Sequence, residues 1–252
     1  MSNPAAVLVE VAVESAEGAR AAQAAGAGRL ELCSGLREGG LTPSAGLITQ
    51  VSESVSLPVF VLIRPRPGDF LYDADDLAIM RRDIAEAERR GADGVVIGAL
   101  DRHGEVDQLA MRTLVEAARP LVVTFHRAFD LAASAERSLD ALLALGAERI
   151  LTSGQAPDAE AGLPMLRRLV TLAGDRLTIV AGGGVTAGSA RRLVREAGIR
   201  EVHLSGRTAR ESPMRFRRDG VRLGGTALPG EYERDETDPL RIRAVIEAVG
   251  SA

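Results

Sequence analysis

Glu10, Glu31, Arg64, His126 and His203 are the residues with which this chain is equipped for chemistry, and Cys33 is its single thiol. Carboxylates and histidines are the usual movers of protons near neutral pH. An arginine grips a planar oxyanion through two parallel N–H bonds, and Arg66 stands two residues after Arg64 for the same task. His126 reads either as a general base or as a metal ligand, and His203 is similar but weaker. His103 falls in the turn Asp101-Arg102-His103-Gly104 and is expected in solvent. A second group points to an anion: the triplet Gly182-Gly183-Gly184 and the pair Ser205-Gly206. Backbone N–H groups of such turns, with a helix N-terminus behind them, cradle a phosphate or a carboxylate.

What the chain lacks narrows this chemistry. All 31 basic residues are arginine. Without a lysine amine there is no Schiff base, which excludes lysine aldolases, pyridoxal-phosphate enzymes and a Walker-type phosphate loop. The net charge of −4 gives no global field for nucleic acid or an anionic membrane. One cysteine allows no intrachain disulfide, the start Met1 to Ala6 lacks a signal-peptide pattern, and no apolar run reaches membrane-span length. A cytoplasmic protein with no membrane partner is expected.

The elements that position these residues recur at about 30 residues, the length of a βα unit. Strands are expected at 7–13, 30–33, 58–64, 94–98, 121–126, 149–152, 177–180 and 201–204, each followed by an amphipathic helical stretch. Pairs such as Gly26-Ala27, Gly91-Ala92 and Gly146-Ala147 end a helix just before the next strand. Eight such units in 252 residues predict one α/β domain, a closed (β/α)8 TIM barrel with its site at the C-terminal mouth of the strands. An open doubly wound sheet would need a glycine-rich turn after the first strand, where Glu14-Ser15-Ala16 stands instead.

Strand alternation then turns Leu8, Glu10 and Ala12, Glu31 and Cys33, Phe60, Leu62 and Arg64, Val122, Thr124 and His126, and His203 and Ser205 inward. Buried charges must pair, so Glu10, Glu31 and Arg64 are expected in one hydrogen-bonded cluster. That cluster is either an ion-pair plug in the barrel or a ligand site; its origin on several strand ends favours a site. The stretch 206–238 breaks the pattern and is expected as an irregular flap over the mouth or a subunit contact. It holds six arginines from Arg207 to Arg222, but the acidic run from Glu231 to Asp238 and the lone Phe216 argue against a nucleic-acid arm.

These residues also carry a resemblance. The stretches Arg29-Leu30-Glu31-Leu32-Cys33-Ser34-Gly35, Ile63-Arg64-Pro65-Arg66 and Thr124-Phe125-His126-Arg127-Ala128-Phe129-Asp130 resemble the CutC copper-homeostasis family. Leu151-Thr152-Ser153-Gly154, the glycine triplet and Met214-Arg215-Phe216-Arg217 continue the likeness in the same order. The resemblance implies a cytoplasmic (β/α)8 barrel, a homo-oligomer, and a role in copper homeostasis with copper ion as the bound partner. Candidate copper ligands are then Cys33, His126 and Met214. Relatives place a second thiol on the first strand where Ala12 stands here, and one thiol suits Cu(I) less well than two. The residues read by themselves favour the other class, an enzyme acting on a small anionic or phosphorylated metabolite by general acid–base chemistry. Glu10, Glu31 or His126 would move its protons, Arg64 and Arg66 would orient it, and the glycine triplet with Ser205 would hold its anionic end.

Overall fold

Eight short runs of aliphatic and β-branched residues become parallel strands: β1 (Leu8–Val13), β2 (Arg29–Leu32), β3 (Val59–Leu62), β4 (Gly94–Ile97), β5 (Val122–Phe125), β6 (Arg149–Thr152), β7 (Thr178–Ala181) and β8 (Glu201–Leu204). In the computed structural model, which describes residues 6–221, 223 and 230–251, they pair in chain order and β8 returns to pair with β1. The helices are α1 (Ala16–Ala25), α2 (Ala45–Ser52), α3 (Ala74–Arg89), α4 (Gln108–Ala118), α5 (Ala135–Leu145), α6 (Leu163–Ala173), α7 (Ala187–Ala197) and α8 (Pro239–Gly250). The barrel closes, as its sequence predicts. Among the described residues no helix is long and apolar enough to cross a membrane.

The helices begin where side-chain acceptors satisfy their first N–H groups: Ser15, Ser44, Asp73, Ser134, Thr186 and Asp238 each accept one, and Asp107 accepts two. Gly26 and Gly146 end α1 and α5 in the left-handed conformation, the role expected for the Gly-Ala pairs. Helix α6 starts only at Leu163, because residues up to Gly162 form turns and Pro164 fits the first helical turn.

Strand alternation sorts the side chains into two cores. Val9, Val11, Leu30, Leu32 and Ile63 join the large apolar layer between strands and helices. Cys33, Phe60, Leu62 and Val96 form a separate cluster inside the barrel. The register puts Glu10 beside Arg29 on one flank and His203 on the other, and Glu31 beside Ala12 and Phe60. Polar residues from adjacent strands therefore share one interior row.

The stretch after β8 is more regular than expected. Strands β9 (Arg207–Glu211) and β10 (Glu233–Thr237) pair as an antiparallel ribbon. Their sequences, RTARE and ERDET, lack the apolar alternation that marks a strand, and cross-strand charge holds them instead. Arg207 lies 3.1 Å from Asp235, and Arg37 ties that same carboxylate to the short turn after β2 at 3.0 Å. Thr237 packs where a side chain on Gly18 of α1 would sit. Arg222 of the arginine run lies outside the described residues.

Candidate functional site

A cavity of about 600 Å³ opens at the C-terminal mouth of the barrel. Its floor is a relay of paired groups. Arg29 holds Glu10 and Glu201, and Arg149 lies 3.3 Å from Glu201. Glu10 Oε1 in turn lies 2.7 Å from His203 Nδ1, and His203 Nε2 faces Glu31 Oε2 at 3.6 Å. Burial works against the charge on Glu10, but the His203 hydrogen bond and Arg29 outweigh it and hold its carboxyl down at about 2. Glu10 is thus ionised, and it fixes the proton on His203 Nδ1. Burial, with the Glu10 charge nearby, pushes Glu31 up to about 7, against the pull of His203 and Arg29. Burial also opposes a charge on His203, yet the carboxylates of Glu31 and Glu10 raise it. Glu31 and His203 therefore influence each other's protonation across 3.6 Å, and both line the cavity.

The wall beyond β3 and β5 is built around Phe70. His126 lies 4.8 Å from that ring, centroid to centroid, and the Arg64 guanidinium 5.1 Å from it. The imidazole fits because position 98 is glycine: a Cβ there would come within 2.5 Å of His126 Cε1. The backbone N–H of Ala128 donates to His126 Nδ1 at 3.1 Å. Burial, helped by the Arg64 charge, lowers the imidazole to about 3, so it is neutral. Arg64 donates from Nη1 to the carbonyls of Glu38 (2.9 Å) and Gly40 (2.8 Å), and from Nη2 to that of Gly68 (2.8 Å). One guanidinium thereby laces the loops after β2 and β3 together.

The opposite wall carries the glycine turn and Ser205, the elements expected to face an anion. Gly183 and Gly184 line the cavity with φ of +97° and +69°, next to the capped start of α7 at Thr186. A side chain at Gly183 would meet the Arg127 guanidinium at 3.1 Å, so that cation lies over the glycine turn. Ser205, Arg207 and Arg241 complete the rim. Of the arginines that line the cavity, Arg127 pairs with Asp130, Arg207 with Asp235 and Arg241 with Asp238, and Glu31 is the one carboxylate among the described lining residues.

The cavity thus brings together Glu31, Arg64, His126, His203, Gly183, Gly184 and Ser205. Four expectations need correction. Arg64 does not join Glu10 and Glu31: Arg29, in register with Glu10, neutralises it, while Arg64 leaves its strand at loop level and meets carbonyls. Glu10 supports the floor without lining the cavity. Arg66 turns away, 3.0 Å from Asp76 and 3.3 Å from Asp69, with its guanidinium on Tyr72. Gly182 is a packing glycine whose Cβ would collide with Leu151.

The proposed copper ligands are also separated. The Cys33 thiol is fully buried, lies 3.7 Å from the Val13 carbonyl, and is raised well above its usual range by burial and by Glu31 and Glu14. It does not line the cavity, and Met214 is 53% exposed on the stretch after β9. Among the described residues no group of three His, Cys, Asp or Glu side chains is placed to hold a metal ion. The donor set does not fit a thiolate copper centre.

A sequence model of the CutC family matches residues 7–208. The chain belongs to the CutC family. It is 45% identical to the copper homeostasis protein cutC homolog of Mus musculus over 238 residues, 94% of this chain and 88% of that one. A CutC family protein of Xanthomonas campestris is 46% identical over 97% of this chain and 99% of its own. The crystal structure of a CutC protein from Streptococcus agalactiae superposes with a TM-score of 0.75 at 34% identity, covering 79% of this chain and 98% of that one. Sequence reasoning about this CutC chain overlooked Arg29, Arg149 and Glu201. Each lies two residues before an inward-facing residue, and extending the same alternation toward the strand starts finds them.

Proposed function

We propose that this CutC chain is a barrel enzyme that binds a small anionic or phosphorylated metabolite at its mouth and moves a proton on it through Glu31 and His203. The observation that carries this reading is the shared cavity: Glu31 with its neighbour His203, and the glycine turn under Arg127, line one chamber. A carboxyl held at about 7 gives and takes protons near neutral pH with little driving force in either direction. Backbone N–H groups at Gly183 and Gly184 and the start of α7 suit the anionic end. Arginine supplies all the positive charge, so the chemistry proceeds without a covalent imine.

The names of the relatives tie the family to copper homeostasis. We carry that role to this chain as a physiological setting rather than as a thiolate site, because the Cys33 thiol is sealed and bonded to backbone. Parallel titrations of the full chain test both parts. Inorganic phosphate should saturate one site, with affinity falling at least tenfold in Arg127→Gln. Unsaturable binding, or unchanged affinity in that variant, rejects the anion site. Cu(I) binding at micromolar or tighter affinity that vanishes in folded Cys33→Ser overturns the view of copper.

A further inference from the structure

Two donors beside the cavity bond nothing. Among the described residues, His126 Nε2 and Arg64 Nε are buried without a hydrogen-bond partner, although both side chains line the cavity. His126 is 5% exposed and Arg64 6%. Arg64 spends its other two nitrogens on the carbonyls of Glu38, Gly40 and Gly68; its guanidinium also lies near enough to the Tyr72 hydroxyl to favour that group's ionised form, but Nε–H makes no hydrogen bond of good geometry. The His126 case follows from its tautomer. A backbone N–H can only donate, so the bond from Ala128 makes Nδ1 the acceptor and puts the ring proton on Nε2. His126 therefore offers a neutral N–H and no free lone pair, which suits neither a general base nor a metal ligand.

Leaving two buried N–H groups unpaired is costly, and such groups ask for an explanation. Both side chains pack on the same Phe70 ring and line the same cavity. A neutral imidazole N–H is weakly acidic and stabilises an oxygen that gains charge during reaction without itself losing the proton. Glu31 comes from β2, three strands around the barrel from β5, whose end carries His126.

We infer that His126 and Arg64 hold the carbonyl oxygen of a small anionic aldehyde, ketone or keto acid, and that Glu31 removes a proton from the carbon next to that carbonyl. This rests on the reading of the cavity as an anion site and adds the substrate class and the reaction. The C–H electron pair becomes the carbon–carbon π bond, the carbonyl π pair moves onto oxygen, and the proton resides on Glu31. Return of that proton to the same carbon completes an exchange; where that carbon carries a hydroxyl, its O–H proton passes to the first oxygen and the Glu31 proton goes to the former carbonyl carbon, which completes an isomerisation with no other reactant.

The probe is 2-phosphoglycolate, whose planar carboxylate stands in for the enolate and whose phosphate fills the cradle, compared with inorganic phosphate. The full chain should bind 2-phosphoglycolate at least tenfold more tightly than phosphate, and His126→Leu should erase that preference while keeping phosphate affinity. Equal affinities in the parent chain overturn this inference and leave the anion site standing. Failure of both ligands to bind overturns the two together. Should the leucine variant not fold, nitrogen-15 histidine spectra of the parent chain decide. The expected result is a neutral ring protonated at Nε2 whose N–H resonance moves downfield with 2-phosphoglycolate and stays in place with phosphate. A ring protonated at Nδ1, or charged at pH 7, overturns the assignment.

Discussion

At the scale of single residues, Glu31 shows how a site is maintained against stability. Its carboxyl titrates at about 7 in the fold and near the ordinary 4.5 when unfolded, so the native state prefers the protonated form. The sign follows: the residue costs nothing below about pH 4.5, and the cost grows as pH rises through 7. Glu31→Gln cannot ionise. At pH 8 it should unfold with a free energy about 2–3 kcal/mol above that of the parent chain, and the gap should close toward pH 4.5. Urea titrations at the two pH values measure this; no gain at pH 8 would mean that the carboxylate bears no burial penalty. Most of the participating side chains were legible in the sequence because inward positions on strands repeat every second residue. Partnership was not legible. Alternation says that Glu10 and Arg64 both face inward, but strand stagger alone decides that Glu10 lies level with Arg29 and that Arg64 sits above them among loop carbonyls.

At the scale of elements, the clearest signals came from chain punctuation. The glycine that ends a helix just before the next strand is a chemical requirement of that junction, and it marked the ends of α1 and α5. The ribbon of β9 and β10 escaped because its pairing depends on distant residues that carry opposite charge, as Arg207 and Asp235 do. No local pattern encodes that. The start of α7 offers a test of how firmly an element holds its part of the cavity. Thr186 accepts the Ser189 N–H while Ser189 accepts the Thr186 N–H, so two otherwise unpaired donors depend on this turn. Thr186→Ala should cost about 1 kcal/mol in denaturant unfolding, and Thr186→Ser should restore most of it. Equal stability of alanine and serine at this position would assign the turn's order to its packing instead.

At the scale of the whole molecule, the barrel is pinned at one end by charge and open to ligand at the other. Arg29 has a relative exposure of only 2% and neutralises carboxylates from two other strands, Glu10 of β1 and Glu201 of β8, while stacking 4.8 Å from the Phe60 ring centroid. Arg29→Met keeps the apolar stem but strands two buried acids. A loss of about 3–5 kcal/mol is expected, the range for removing one partner of a buried pair. A denaturation midpoint within experimental error of the parent chain would show that Arg149 alone suffices. The same ring of charges bears on synthesis. His203 and Glu201 lie on the last barrel strand and Glu10 on the first, so the row of paired charges crosses the seam where the two ends of the cylinder meet. A nascent chain that has not yet delivered its eighth strand lacks two members of that row, which is complete only at the moment the ring shuts.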